Sequence, residues 1–452
     1  MNLLSSTSVF SFYTLISRIL GYTRDILIAI FLGASIYADA FFVAFRLPNT
    51  FRRLFAEGTF NAAFIPSYAA EKIISKKNGK KFADDIFILL TITLFFIVLI
   101  IEIFTPYFVY LISPGFFSEP EKFGLAVEFT RLTFPFLLFV SLSSFFSGIL
   151  NSNNKFAAAA AAPIILNIVL ILSLLISYKL ELNFAKNLSY SVTLSGIIQL
   201  FFLIYFTKKY YKPSLKLKIN INKKVKFFLK KLGPSIFSSG VTQINIFIGT
   251  IIASFQAGAV SYLYYADRIY QINLAIAGIA VGTVSLPILS IAIKKRNKIE
   301  IKKIQNKSLE LCLLLSIPAS VGLILGSEQI VNGLFGYGSF TPKDIEMTSL
   351  ALKYFGYGIP AFALVKIFAN LYFARDNTHI PFKLSLIIVS LNILISLSFF
   401  EKIGFTIIPI ATSISTWIGA GTYLLLLVNR DSLKLDNKFL FNIEQKIINN
   451  SR

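Results

Sequence analysis

The sequence predicts an all-α polytopic membrane protein of about twelve transmembrane helices, arranged as two pseudo-symmetric six-helix bundles. Three observations predict it. The chain of 452 residues is 55% hydrophobic, with 47 Phe, and its mean hydropathy is +0.71. Its apolar residues come in blocks of about 20, the length that crosses a bilayer core as a helix; IFILLTITLFFIVLIIEIF at 86–104 and FAAAAAAPIILNIVLILSLLIS at 156–177 are examples. Short motifs also recur between the two halves. The blocks are continuous, which excludes the alternating pattern of a barrel strand.

The spans fall near 6–32, 36–68, 84–112, 123–150, 156–178, 186–207, 233–255, 259–292, 308–334, 346–373, 382–400 and 404–428. The first runs on past residue 30 without a small-residue cleavage site, so it reads as a span and not as a signal peptide. The halves align by motif. YAD at 37–39 recurs at 265–267, and FIP at 64–66 answers SLP at 285–287 if seven residues are missing from the second copy. LTFPF at 132–136 answers YGIPA at 357–361, and at that same offset Asn167 falls on Asn392. The expected organisation is a bundle over 1–207, a basic linker over 208–231, a second bundle of the same topology over 232–428 and a tail over 429–452, with the bundles related by an axis along the membrane normal.

The net charge of +22 does not point to nucleic acid. With the N-terminus placed in the cytoplasm, the loops EKIISKKNGKK, TKKYYKPSLKLKININKKVKFFLKK and KKRNKIEIKKIQNK fall on one side, which carries roughly 30 Lys and Arg against roughly five opposite. This asymmetry orients the chain with both termini cytoplasmic, and anionic membrane lipids are attracted to the same lysines. Cys312, alone inside an apolar run, excludes a disulfide framework and reads as a core residue. His379, in the turn-like RDNTHIPF, reads as a loop residue. No metal, no cofactor and no catalytic residue is expected, and no glycine loop for ATP is present.

The informative residues are charges inside spans, where each is expensive and points to a wet cavity or a partner. ISRILGYTRD carries Arg18, Arg24 and Asp25; ADAFFVAFRLPNTFRRLFAEGTFNAAFIP carries Asp39, Arg46, Arg52, Arg53 and Glu57; span eight carries Asp267 and Arg268. Arg18 and Asp25 share a helix face while Arg24 points away, and Gly21 permits a bend that turns both arginines inward. Arg53 and Glu57 stand four apart and can pair, and Pro48 kinks the helix. Two readings compete for this set: structural ion pairs and snorkelling side chains, or a cationic cavity between the bundles. The cavity is favoured because lysine dominates the loops whereas the spans use arginine, suited to bidentate grip on phosphate oxygens. Arginine outnumbers acid in these spans, six against Asp25, Asp39, Glu57 and Asp267. The wall is most positive if the acids face helix neighbours while the arginines face the cavity.

MNLL, SRILGYTRD, the 38–66 stretch, NSNNKFAAAAAAPIILNI and YYADRIYQINLAIAGIAVGTVSLPILS closely resemble the MurJ (MviN) family of the MOP exporter superfamily, from residue 1 to about 428. The resemblance implies the MOP/MATE-like fold of two six-helix bundles. It also implies a non-enzymatic flippase for lipid II, the undecaprenyl-pyrophosphate-linked peptidoglycan precursor, working by alternating access in the bacterial cytoplasmic membrane. By motif match Arg18, Arg24, Arg52 and Arg268 receive the head group, Asp25, Asp39, Glu57 and Asp267 orient the arginines or gate the cavity, and Ser17 and Asn49 are polar neighbours. The implied partners are lipid II, membrane lipids and the cell-wall synthesis machinery, with the protein itself a monomer. Family members commonly carry two further C-terminal spans that suit the lipid tail; the chain after 428 is short and polar, so either this protein manages the tail without that groove or the sequence is truncated. A cation site seen in some members would draw on Asn245 and Asn392, with no carboxylate to join them, and is not expected. The competing functions are a flippase for another polyprenyl-linked sugar, a MATE-like multidrug exporter, whose cationic substrates an arginine-rich cavity repels, and an enzyme acting on lipid pyrophosphates.

Overall fold

The computed structural model describes residues 3–55, 59–214, 221–429 and 433, and among them every regular element is helical. The chain divides into two compact units, residues 1–258 with 337–340, and residues 259–336 with 341–452. The first contains α1 (Leu3–Leu32), α2 (Ile36–Phe55), α3 (Thr59–Ile74), α4 (Lys76–Ile103), α5 (Thr105–Ile112), α6 (Pro120–Thr133), α7 (Phe136–Ser152), α8 (Phe156–Lys179), α9 (Phe184–Thr207) and α10 (Lys223–Ala253). The second contains α11 (Ala259–Leu274), α12 (Val281–Lys294), α13 (Lys298–Phe335), α14 (Pro342–Gly356), α15 (Ile359–Phe373), α16 (His379–Ile403) and α17 (Ile407–Asn429). A π-helical turn over Ala275–Ala280 joins α11 to α12.

Each expected segment falls on helix, several of them extended or broken relative to the expectation. By length and composition seven stretches among the described residues can cross a membrane, or eight if the bent pair α14–α15 is one span, and one of them, His379–Asn429, holds both α16 and α17. This is a multi-pass membrane protein. His379 is the first residue of α16 rather than a loop residue, because Thr378 ends the turn before it.

The repeat is visible in the pairing of helices within each unit. α2 packs on α6, α3 on α4 and α7, α7 on α9, and α8 on α9; correspondingly α11 packs on α14, α12 on α13 and α15, α15 on α17, and α16 on α17. The aligned prolines break corresponding spans: α7 begins just after Pro135 and α15 carries Pro360 in its first turn. A ring lacking an amide donor ends the preceding helix and starts the next. Pro66 and Pro287 likewise sit inside α3 and α12.

The compact units divide after Gly258, and α10 groups with the first, against α2 and α3. The described flanks of the basic 208–231 segment are tied to α4. Asp84 accepts from the Tyr211 hydroxyl (2.7 Å) and the Ser214 amide (3.1 Å), and Asp85 accepts from Asn222 (2.9 Å), the cap of α10. Burial, and then the Asp84 carboxylate, push the Tyr211 phenol well above its ordinary range, which keeps it a donor. Two adjacent acids thus capture a stretch whose composition reads as a free tether.

Each unit has its own core. In the first, Phe64 is the hub, with ring centroids 5.1 Å from Phe145, 6.2 Å from Phe82 and 6.4 Å from Phe228. In the second, Phe368, Tyr372 and Tyr423 pack with Cys312, which is fully buried as its apolar surroundings imply. Residues 337–340 join the first unit by main-chain contact: the Ser339 amide donates to Ile30 O at 2.7 Å. Gly33 and Gly338 both have φ near +60°, and a Cβ would lie 2.3 Å from Ser339 O and 2.4 Å from Ile30 O respectively, so only glycine fits. Phe64→Ala is expected to destabilise the first unit by about 3–5 kcal/mol, through lost burial and the cavity left behind; the thermal unfolding midpoint of purified protein measures it.

Candidate functional site

The charges of α1 are organised by one asparagine. Arg24 and Asp25 are both buried, at 5% and 3% exposure. The Arg24 guanidinium folds back to its neighbour, donating from Nε (3.0 Å) and Nη2 (2.6 Å) to Asp25 Oδ1, and from Nη1 to Asn167 Oδ1 on α8 at 3.0 Å. Asn167 Nδ2 donates in turn to Ser17 O at 2.9 Å. α1 is a continuous helix through Gly21, whose bare face looks onto the Asn167 amide, 3.6 Å from a built Cβ. The helix is not broken at Gly21, and Arg24 faces a carboxylate and an amide instead of open space. Adjacent residues leave a helix about 100° apart, but the arginine stem is long enough to return.

A second buried pair holds the first turns of α2 and α6 together. Asp39 and Lys122 are 0% and 1% exposed, with Nζ 2.8 Å from Oδ2. The same carboxylate oxygen accepts from the Gly258 amide at 2.9 Å. Lys122 also lies over the Phe116 ring, 4.3 Å from its centroid, and 3.8 Å from Glu119. The sequence reading missed Lys122, because in SPGFFSEPEKFG it looks like one charge of a solvated acidic loop. The signal available was Pro120, a helix start that carries Lys122 inward with the first turn of α6.

The remaining residues are more open. Arg18 is exposed on α1. Arg52 is half-buried and donates from Nε to Asn49 Oδ1 at 3.1 Å, while Arg46 reaches the Thr250 hydroxyl on α10. In the second unit Arg268 lies over Tyr264, 4.8 Å from the ring centroid, and donates to its hydroxyl at 2.8 Å. Asp267, half-buried, accepts from Gln271 one turn on. Glu57 lies outside the described residues, and so does its pairing with Arg53. Asn392 bonds Thr412 and Ser396 on α17 and α16. Within the first unit, then, Ser17, Arg24 and Asp25 converge with Asn167, Arg52 meets Asn49, and Asp39 is joined to Lys122.

The comparisons agree with this architecture. Residues 28–450 match the family described as "Lipid II flippase MurJ". The chain belongs to the MurJ family. A Rickettsia prowazekii (strain Madrid E) relative, "Probable lipid II flippase MurJ", is 39% identical over 93% of this chain and 83% of its own length. A Burkholderia cenocepacia relative, "Lipid II flippase MurJ", is 32% identical over 89% of this chain and 80% of its own. A solved structure, "Lipid II flippase MurJ, inward closed conformation", superposes with a TM-score of 0.85 at 30% identity, covering 97% of this chain and 90% of that one. A multidrug resistance MATE transporter of the MOP superfamily, in an inward-facing conformation, superposes at 0.75 with 16% identity over 92% and 94% of the two chains, which shows the shared fold.

Within a MurJ-family transporter these side chains separate by what surrounds them, and so do the expected mutant phenotypes. Arg24→Ala should remove the guanidinium that bonds buried Asp25, costing about 3–5 kcal/mol. Asn167→Ala should cost about 1–3 kcal/mol by stranding a buried donor. Arg18→Ala, on an exposed side chain, should change stability by less than about 0.5 kcal/mol. Thermal midpoints in one detergent compare all three; equal midpoints for Arg24→Ala and Arg18→Ala would show that the α1–α8 network does not hold the fold.

Proposed function

We propose that this protein moves lipid II from the inner to the outer leaflet of the bacterial cytoplasmic membrane by alternating access, as a monomer with both termini in the cytoplasm. The observation that carries the reading is family membership: flippase-named relatives share up to 39% identity over nine-tenths of the chain. The arginine chemistry supports it. Lipid II is anionic through its pyrophosphate and peptide carboxylates. Guanidinium groups grip such oxygens in pairs while remaining charged at every physiological pH. Arg18 and Arg52 in the first unit and Arg268 in the second are the residues we assign to the head group. Arg24 belongs to the same set by motif, but its two bonds to Asp25 and one to Asn167 give it a second duty, to shape the wall on which the head group rests.

No bond is made or broken in this process, so the work is recognition and conformational change. Asp39 and Asp267 are assigned to orientation or gating, together with Asp25, Glu57, Ser17 and Asn49. The basic cytoplasmic loops hold the orientation and attract anionic lipid. The MATE-like fold raises drug export as the rival. An arginine-lined path disfavours the organic cations that such exporters move, because like charge is repelled most strongly where water is scarce.

Depletion in the native host tests the reading directly: lipid II should accumulate in the inner leaflet, whereas unchanged lipid II with retained drugs would support export. Arg18→Ala, Arg52→Ala and Arg268→Ala should each abolish complementation while still inserting. Lysine at these positions should rescue incompletely; full rescue at all three would show that charge alone suffices. A soluble pyrophosphate-sugar analogue should compete with lipid II for purified protein, and its binding should weaken as salt rises from about 0.05 to 0.5 M. A planar organic cation that bound more tightly than the analogue would overturn the assignment.

A further inference from the structure

We propose that Lys122 is a positioning residue for transport: its ammonium holds the Asp39 carboxylate where it grips the Gly258 amide, and so keeps the turn 254–258 docked until the pair separates during the cycle. This rests on the transport reading above. The geometry is specific. One oxygen, Asp39 Oδ2, faces both the Lys122 ammonium at 2.8 Å and the Gly258 amide at 2.9 Å. The turn is held a second time where the Gly115 amide donates to Ser254 Oγ at 3.0 Å, one residue into the loop that leads to α6. Phe116, from the same loop, covers the ammonium.

Two arguments separate this pair from general scaffolding. First, helix electrostatics favour Asp39 but oppose Lys122. Both stand in the first turns of helices, where an anion is stabilised and a cation is not. Lys122 is therefore held by its partners and not by its place on α6. Second, the repeat places a neutral donor where this unit places a charge. In the second unit the corresponding helices, α11 and α14, are linked by the Tyr262 hydroxyl donating to Asp344 at 3.2 Å. Burying a full ammonium costs more than burying a hydroxyl, so Lys122 serves something beyond joining two helices. A buried ion pair is strong while dry and weakens once water reaches it, which is the behaviour of a clasp that opens. By the charge of the flanking loops, the 113–124 loop and the turn 254–258 lie on the outer side of the membrane.

The test uses the full chain with Cys312→Ser, with Ser254→Cys as reporter of the turn, and an impermeant maleimide applied to intact cells. Ser254 is buried, so labelling should be slow when Lys122 is present. Lys122→Met should speed labelling by about tenfold or more and cut lipid II flipping by a similar factor. It should leave lipid II binding within about twofold, because the head-group arginines are untouched. Asp39→Asn with Lys122→Met removes both charges and should restore the thermal midpoint, yet leave labelling fast and flipping slow. Unchanged labelling in Lys122→Met, loss of binding along with flipping, or wild-type flipping in the double variant would each overturn the proposal. If the unsubstituted protein neither binds nor flips lipid II while labelling still responds to Lys122→Met, the transport reading fails and the hold of Lys122 on the turn stands.

Discussion

Within a bilayer a charge is tolerated only when something close by answers it, and the first unit is organised around that constraint. Arg24 is answered by Asp25 and Asn167, and Asp39 by Lys122 and the Gly258 amide. Apart from Asp25, each answer comes from a different helix or loop, so satisfying the charge also fixes the packing: α1 on α8, α2 on α6, and the turn after α10 on α2. The arginines that remain more open, Arg18 and Arg52, stand out against this background of settled charge. The distinction bears on transport, since a side chain that reaches solvent can meet a substrate anion.

Much of the fold was legible because membrane insertion writes itself in long apolar blocks. The twelve segments, the matching breaks at Pro135 and Pro360, and the burial of Cys312 all follow from span length and from the missing amide of proline. The ties of the basic 208–231 segment were not legible. They are side-chain bonds from Asp84 and Asp85 to Tyr211, Ser214 and Asn222, residues distant in sequence with no shared period. The direction of Arg24 was not legible either. A helical wheel places the root of a side chain, while a guanidinium on a flexible stem can return to the residue beside it. Lys122 was hidden by its surroundings, because an acidic loop resembles a solvated turn in every respect except the proline that starts a helix there.

The two halves keep the same helix pairings and spend equivalent residues differently. Asn167 and Asn392 occupy matched places and are equally buried, yet the first ties α8 to an arginine on α1 and the second ties α16 to a threonine on α17. An asparagine offers both donor and acceptor, so it serves either context without altering the helix that carries it. The ion pair between α2 and α6 and the hydroxyl–carboxylate bond between α11 and α14 show the same divergence. Architecture is duplicated, and charge has been concentrated in one copy.

The contact between residues 337–340 and α1 has a consequence of a different kind. Its amide bond to Ile30 O is main chain to main chain, and the approach demands only that Gly33 and Gly338 carry no side chain. Such a join is blind to the identity of nearly every residue around it. In a chain whose composition leans heavily to Lys, Asn, Ile and Phe, side-chain contacts drift as the composition drifts, whereas a backbone join persists as long as two positions stay glycine. Substitution pressure can therefore rewrite most of this surface, and the seam will keep its register.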